Sequence, residues 1–203
     1  MTTRRQRQRG YTAVELMMAI GIFGIGVTGT IAMEKVTTVS NQHAKNLAIA
    51  THIAESWLDM LATDAVSWNY PSPTNSKPDL DQTAWLKQVK TNANSANDWF
   101  LPVYSGADKF SFGPAFDALG NPVDAAAAPN SVAFCSHLRL SYLYTPTLSG
   151  NGLIRAEVRV FWLRDGQVFA QNMCSDGQVV KVGGDTQTFH FVQKITAIRE
   201  NTL

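Results

Sequence analysis

"RQRGYTAVELMMAIGIFGIGVTGTIAM", residues 7–33, decides how the rest of the chain is read. Arg4, Arg5, Arg7 and Arg9 crowd the start, and Leu16 to Met33 then carries no charge over 18 residues. Such a run makes about 27 Å of helix at 1.5 Å per residue, enough to reach across a bilayer core. Basic residues ahead of it predict a cytoplasmic N-terminus, with everything after Glu34 exported. One carboxylate, Glu15, stands at the mouth of the run, where a charge costs about 2.5 kcal/mol or more and marks function. A cleaved signal peptide ending at Thr30-Ile31-Ala32 and a plain signal anchor are the ordinary alternatives, and neither accounts for Glu15.

Outward from Ala32 the chain has no Gly or Pro until after Ala65. Ala44, Leu47, Ala48, Thr51, Ala54, Trp57, Leu58 and Leu61 recur at three- and four-residue steps, one face of an amphipathic helix. No cap or breaker separates this stretch from the membrane run. The pattern predicts one helix from about Thr12 to about Leu61, on the order of 75 Å long. Its first half is apolar nearly all round and its second half has a single apolar stripe. Cleavage at Ala32 would discard that continuity.

The rest of the 203 residues has room for one domain. A hydrophobic fraction of 45% and a charged fraction of 16% fit a folded chain. The net charge of +1 is uneven, because the first ten residues hold four of the 17 basic side chains and none of the 16 acidic ones. The body is mildly acidic, so no nucleic-acid partner is expected. "NYPSPTNSKPDLDQ" (69–82) reads as a loop. Asp81 is placed to cap a short helix in "QTAWLKQVKTNA" (82–93), with Trp85, Leu86 and Val89 on one side. Residues 112–130, including the Ala125–Ala128 run, read as irregular chain.

The last third is strand-rich: 138–145, 153–164, 167–173 and 188–200. Asp165-Gly166 signals a tight hairpin and Ser149-Gly150-Asn151-Gly152 another turn. Arg155, Glu157 and Arg159 alternate with Ala156, Val158 and Val160, which predicts one wet face and one face packed on the amphipathic helix. The expected fold class is α+β, a long N-terminal helix against a C-terminal antiparallel sheet.

"RG-YTAVELMMAIGIFGIG" resembles the leader junction of type IV pilins and type II secretion pseudopilins. In that family a short basic leader ends in Gly, here Gly10, and Glu is the fifth residue after the cut, here Glu15. The first mature residue is usually Phe, and here is Tyr11. Gly24 stands where many pilins have a helix glycine, while the proline of many major pilins is absent, Ala32 being near its place. "NQHAKNLAIATHIAESWLDML" is similar to minor pilins of the PilV type, down to the Ala54-Glu55 pair. The resemblance covers roughly the first 62 residues and implies a leader (1–10), a transmembrane and filament-core half (11–33), an amphipathic half (34–62) and a periplasmic globular domain (63–203). It implies prepilin-peptidase cleavage between Gly10 and Tyr11 and N-methylation of the Tyr11 amine. The implied partners are the peptidase, an inner-membrane assembly platform, inner-membrane lipid, the major pilin and other minor pilins. The implied location is the inner membrane with the domain in the periplasm, then the pilus at the cell surface.

The chemistry of that junction stands beside the resemblance. Cutting after Gly10 removes four positive charges and creates an α-amino group with a typical pKa of about 7.7 to 8.0. A carboxylate four residues along lies on the same helix face and favours the positive end of the helix dipole. In a stack of such helices Glu15 of one subunit meets the Tyr11 amine of its neighbour, so Glu15 is read as a docking residue that sets register. A carboxylate snorkelling to the interface is the plainer alternative. Gly21, Gly24, Gly26 and Gly29 read either as close-packing or meltable positions, or simply as the glycine common in membrane helices.

The remaining chemistry is sparse. Cys135 and Cys174 are the only cysteines, and in an exported domain a disulfide between them is the economical reading. A thiol nucleophile at Cys135 served by His137, two residues on, is the alternative. No HExxH, P-loop, GxSxG or dinucleotide fingerprint occurs, and His43, His52, His137 and His190 are scattered, so neither enzyme, metal nor cofactor is expected. "SDG" (175–177) and "GGD" (183–185) read as turns ahead of calcium ligands. Trp68, Tyr70 and Trp99 read as packing under loops ahead of adhesion. The expected function is a minor pilin that primes assembly or builds the pilus tip. A type II secretion pseudopilin is the nearest rival, and a membrane-tethered periplasmic enzyme or binding domain is the rival of another class.

Overall fold

A computed structural model describes residues 10–68, 71–72, 75–91, 99–102, 112–124, 129–145, 152–164, 174, 185 and 187–199. Helix α1 runs unbroken from Ala13 to Trp68, 56 residues or about 84 Å. Thr12 opens it: its hydroxyl accepts the Glu15 backbone N–H at 3.3 Å. Thr12-x-x-Glu15 is thus in capping-box register, with the acid in the first turn. The helix passes the expected stop at Leu61 by about two turns, because Ala65 and Trp68 continue the buried stripe of Trp57 and Leu61. It ends just ahead of Pro71, which cannot continue it.

By contacts the chain divides inside this helix into two units, up to Lys45 and from Asn46 onward. In the first, every residue from Gly10 to Lys45 is exposed. Ile22, Phe23 and Ile25 expose 73%, 73% and 76% of their surface. The helix is long and apolar enough to cross a membrane by length and composition. A surface apolar all round is at home in lipid or among other helices, and in water would aggregate.

The second unit is α+β. The described strands are β1 (Pro71–Ser72), β2 (Asn75–Pro78), β3 (Ala115–Phe116), β4 (Pro122–Val123), β5 (Phe134–Tyr144), β6 (Leu153–Leu163) and β7 (Phe189–Arg199), with a short helix α2 (Gln88–Thr91). β1 and β2 pair with each other, and the other five form an antiparallel sheet in the order β4-β3-β5-β6-β7. Ala50, Ile53, Ala54, Trp57, Leu61, Ala65 and Trp68 share one core with Leu138, Leu140, Ile154, Ala156, Val158, Val160 and Ile198 of the sheet. The small Ala50 and Ala54 let the helix backbone approach, and Trp57 fills the space between helix, Trp85 and Phe112 through edge-on contacts at 5.2 Å each. Gly113 is required here: its φ is +73°, and a Cβ would stand 3.0 Å from both Trp57 and Phe116.

Several expectations are corrected. Residues 112–130 are not all irregular, since β3 and β4 form a hairpin there. Its turn is closed by Asp117, whose carboxylate accepts the N–H groups of Leu119 at 2.8 Å and Asn121 at 2.9 Å, with Gly120 at φ +87°. Asp81 caps no helix. The 3-10 turn at Leu80–Gln82 is capped by Asp79, and among the described residues the α-helix of this segment is Gln88–Thr91. The N–H groups of Ala84, Trp85 and Leu86 are instead taken by the carboxylate of Asp64 on α1, at 2.6, 2.8 and 2.9 Å. A carboxylate twenty residues upstream therefore holds this segment against the helix. The expected strand at 167–173, the Asp165-Gly166 hairpin turn, the Ala125–Ala128 run, Tyr70 and most of the Ser149–Gly152 turn lie outside the described residues.

The wet face is the largest correction. Glu157 is 2% and Arg159 4% exposed, and His137 is fully buried. Register places Cys135, His137 and Arg139 of β5 opposite Phe161, Arg159 and Glu157 of β6 on the face away from α1. Among the described residues that face is covered at His137, Glu157 and Arg159, partly open at Arg155, and open along β7, where Phe191, Gln193, Ile195 and Ala197 are exposed.

Candidate functional site

Two places carry the chemistry named from the sequence. At the helix start, Gly10 and Tyr11 lie ahead of the first helical residue, and Tyr11 is 85% exposed. A Cβ on Gly10 would touch nothing within 4 Å, so no packing among the described residues requires glycine there. The same holds for Gly21, Gly24, Gly26 and Gly29. Their smallness serves no packing within the described residues of this chain. Glu15 is exposed in the first turn, beside the positive end of the helix. Thr12 is the residue missed from sequence; the T-x-x-E signature ahead of an apolar run was its signal.

The second place is the buried polar face of the sheet. The Glu157 carboxylate receives the Arg139 guanidinium, Arg155 Nε at 2.7 Å and Gln193 Nε2 at 2.8 Å. Trp99 takes the guanidinium groups of Arg139 and Arg159 against its ring, at 4.8 and 4.4 Å from the centroid. The segment carrying Trp99 is placed by Phe100, which exchanges two backbone hydrogen bonds with Leu138 at 2.8 and 2.9 Å. Arg159 Nη2 lies 3.0 Å from His137 Nδ1. Guanidinium can only donate, so Nδ1 accepts and the imidazole proton sits on Nε2. Nε2 is buried and has no hydrogen-bond partner among the described residues. Burial first, and the Arg159 charge second, push the His137 pKa from 6.5 down to about 3. Burial, with the charge of Arg139, lowers Arg159 to about 10, so it stays cationic at neutral pH.

Cys135 and Cys174 are joined in a disulfide, with Cα atoms 5.6 Å apart. The bond sits in a small core of its own with Ala115, Phe161 and Phe189. Cys135 is therefore no thiol nucleophile, and His137 is engaged with arginine and with the ring of Phe161, 4.7 Å away. Trp68 is buried in the main core and Trp99 is clamped by arginines, which is packing. Asp185 accepts the N–H groups of Gln187 at 3.2 Å and Thr188 at 3.0 Å, a turn of the kind its sequence signals. Residues 175–177 lie outside the described residues. Among the described residues this face holds charges in fixed pairs and brings no nucleophile to a base.

No family model matches the chain, and neither a curated protein nor a solved structure matches it. The fold and the two places above are therefore what bears on function.

Proposed function

We propose that this chain is a minor-pilin-like filament subunit, released from its leader by cleavage between Gly10 and Tyr11. The observation that carries this reading is the division of α1. One helix offers an all-round apolar, fully exposed half, and then buries a single stripe under an antiparallel sheet. An anchor alone needs no such continuity. The exposed Gly10-Tyr11 peptide is accessible to a peptidase, and the glycines of the first half offer close approach to neighbouring helices. In this reading the protein waits in the inner membrane with its sheet domain in the periplasm. It then joins other minor pilins and the major pilin, the Tyr11 amine of one subunit meeting Glu15 of another. The paired charges supply axial register more than net stability.

Glu15→Gln tests the reading sharply, because Gln also serves the third position of a capping box and preserves the helix start. The variant is expected to be processed and folded yet lost from sheared filaments. Normal incorporation of Glu15→Gln would sink the docking role and favour a domain that uses α1 only as a tether.

A further inference from the structure

The two ends of the five-stranded sheet differ in charge. β4 and β3 form one end and β7 the other. From Phe112 to Ser131 the sequence has two acids, Asp117 and Asp124, and no Lys or Arg, whereas β7 has no acid, carries Arg199 on its open face, and holds Lys194 on the other face, paired with Glu55 of α1 at 3.3 Å. Each end also exposes apolar side chains. Leu119 stands 72% exposed in the turn closed by Asp117. On the open face of β7, Phe191 and Ile195 are 41% and 53% exposed. Arg199 shares that face, as does Arg155, which pairs in register with Ala197 and is 42% exposed at its side chain.

We propose that the Asp117–Asn121 turn of one copy docks on the open face of β7 of a second copy. Leu119 seats between Phe191 and Ile195, and Asp117 faces Arg155 and Arg199. The two surfaces lie at opposite ends of the sheet, so the contact is head-to-tail. Three apolar side chains and one charge cluster fall well short of the roughly 1,200 Å² that a stable interface buries. The contact is weak between free domains and becomes occupied when copies are held at about millimolar effective concentration. The proposal rests on the filament reading only there: apolar helix halves gathered in one membrane or bundle supply that concentration.

The test places benzoylphenylalanine at position 191 of the full chain and irradiates cells or membranes. The expected result is a homodimeric adduct whose second chain is crosslinked within the tryptic segment 110–139, which contains the turn. Leu119→Lys alone and Ile195→Glu alone, both at exposed positions, each lose the adduct, and a chain carrying both recovers it. An adduct insensitive to Leu119→Lys, adducts only to other proteins, or no adduct would overturn the proposal. The N-terminus of the same sample separates the two readings. A chain starting at Tyr11 without the adduct ends this contact alone, whereas the adduct in a chain retaining its leader upholds the contact and counts against the filament.

Discussion

Acidification is expected to destabilise the sheet domain through one residue, His137. Its imidazole is fully buried, hydrogen-bonded to a guanidinium, and held neutral down to about pH 3. In the unfolded chain it titrates near 6.5. Between these values the unfolded state binds a proton that the folded state refuses, so stability falls as pH falls through 6.5 and continues falling toward 3. From pH 7 to pH 5 this linkage amounts to about 2 kcal/mol. Other groups titrate as well, so the quantity to measure is the difference between the wild type and His137→Asn. Asn offers Oδ1 to Arg159 in place of Nδ1 and takes up no proton as the pH falls. All five tryptophans, at 57, 68, 85, 99 and 162, lie after Asn46. Fluorescence-monitored urea unfolding of the full chain in mild detergent therefore reports this unit alone. The variant should be less stable at pH 7 and lose about 2 kcal/mol less than wild type on going to pH 5. Parallel pH profiles for the two proteins would refute the account of His137 as a buried neutral base.

Further outcomes follow from the same packing. Glu157→Ala leaves Arg139 and Arg155, themselves partly exposed, without their shared buried carboxylate and should cost about 1–3 kcal/mol in the same urea assay. Asp64→Ala strips three backbone N–H groups of their acceptor and should cost about 2–3 kcal/mol, with loss of protection from hydrogen exchange at Ala84, Trp85 and Leu86. Reducing the disulfide opens a loop whose ends are 39 residues apart. This should lower stability by about 4 kcal/mol, read as a shift in the urea midpoint between reduced and oxidised protein.

Periodicity made α1, β5, β6 and β7 legible, because each runs long enough for a helical stripe or a two-residue alternation to repeat. β3 and β4, two residues each, are too short to show a period and were hidden in a stretch that reads as loop. Asp64 was illegible for another reason: its partners are set by tertiary contact, and nothing local marks a mid-helix aspartate as a cap for residues twenty positions on. The alternation Arg155-Ala156-Glu157-Val158-Arg159 describes a solvated face and a buried ion-paired face equally well. What decides between them is Trp99, brought over the sheet by pairing of Phe100 with Leu138. At the N-terminus, Gly10, Tyr11 and Glu15 were visible as residues, and the structure adds that the first two precede the helix while Thr12 caps it.

The measurement that bears most directly on the filament reading is the intact mass and N-terminal sequence of the protein recovered from membranes. The account predicts a chain beginning at Tyr11 and carrying one added methyl group. A start just after Ala32, or an uncut chain retaining Arg4 to Arg9, would contradict it.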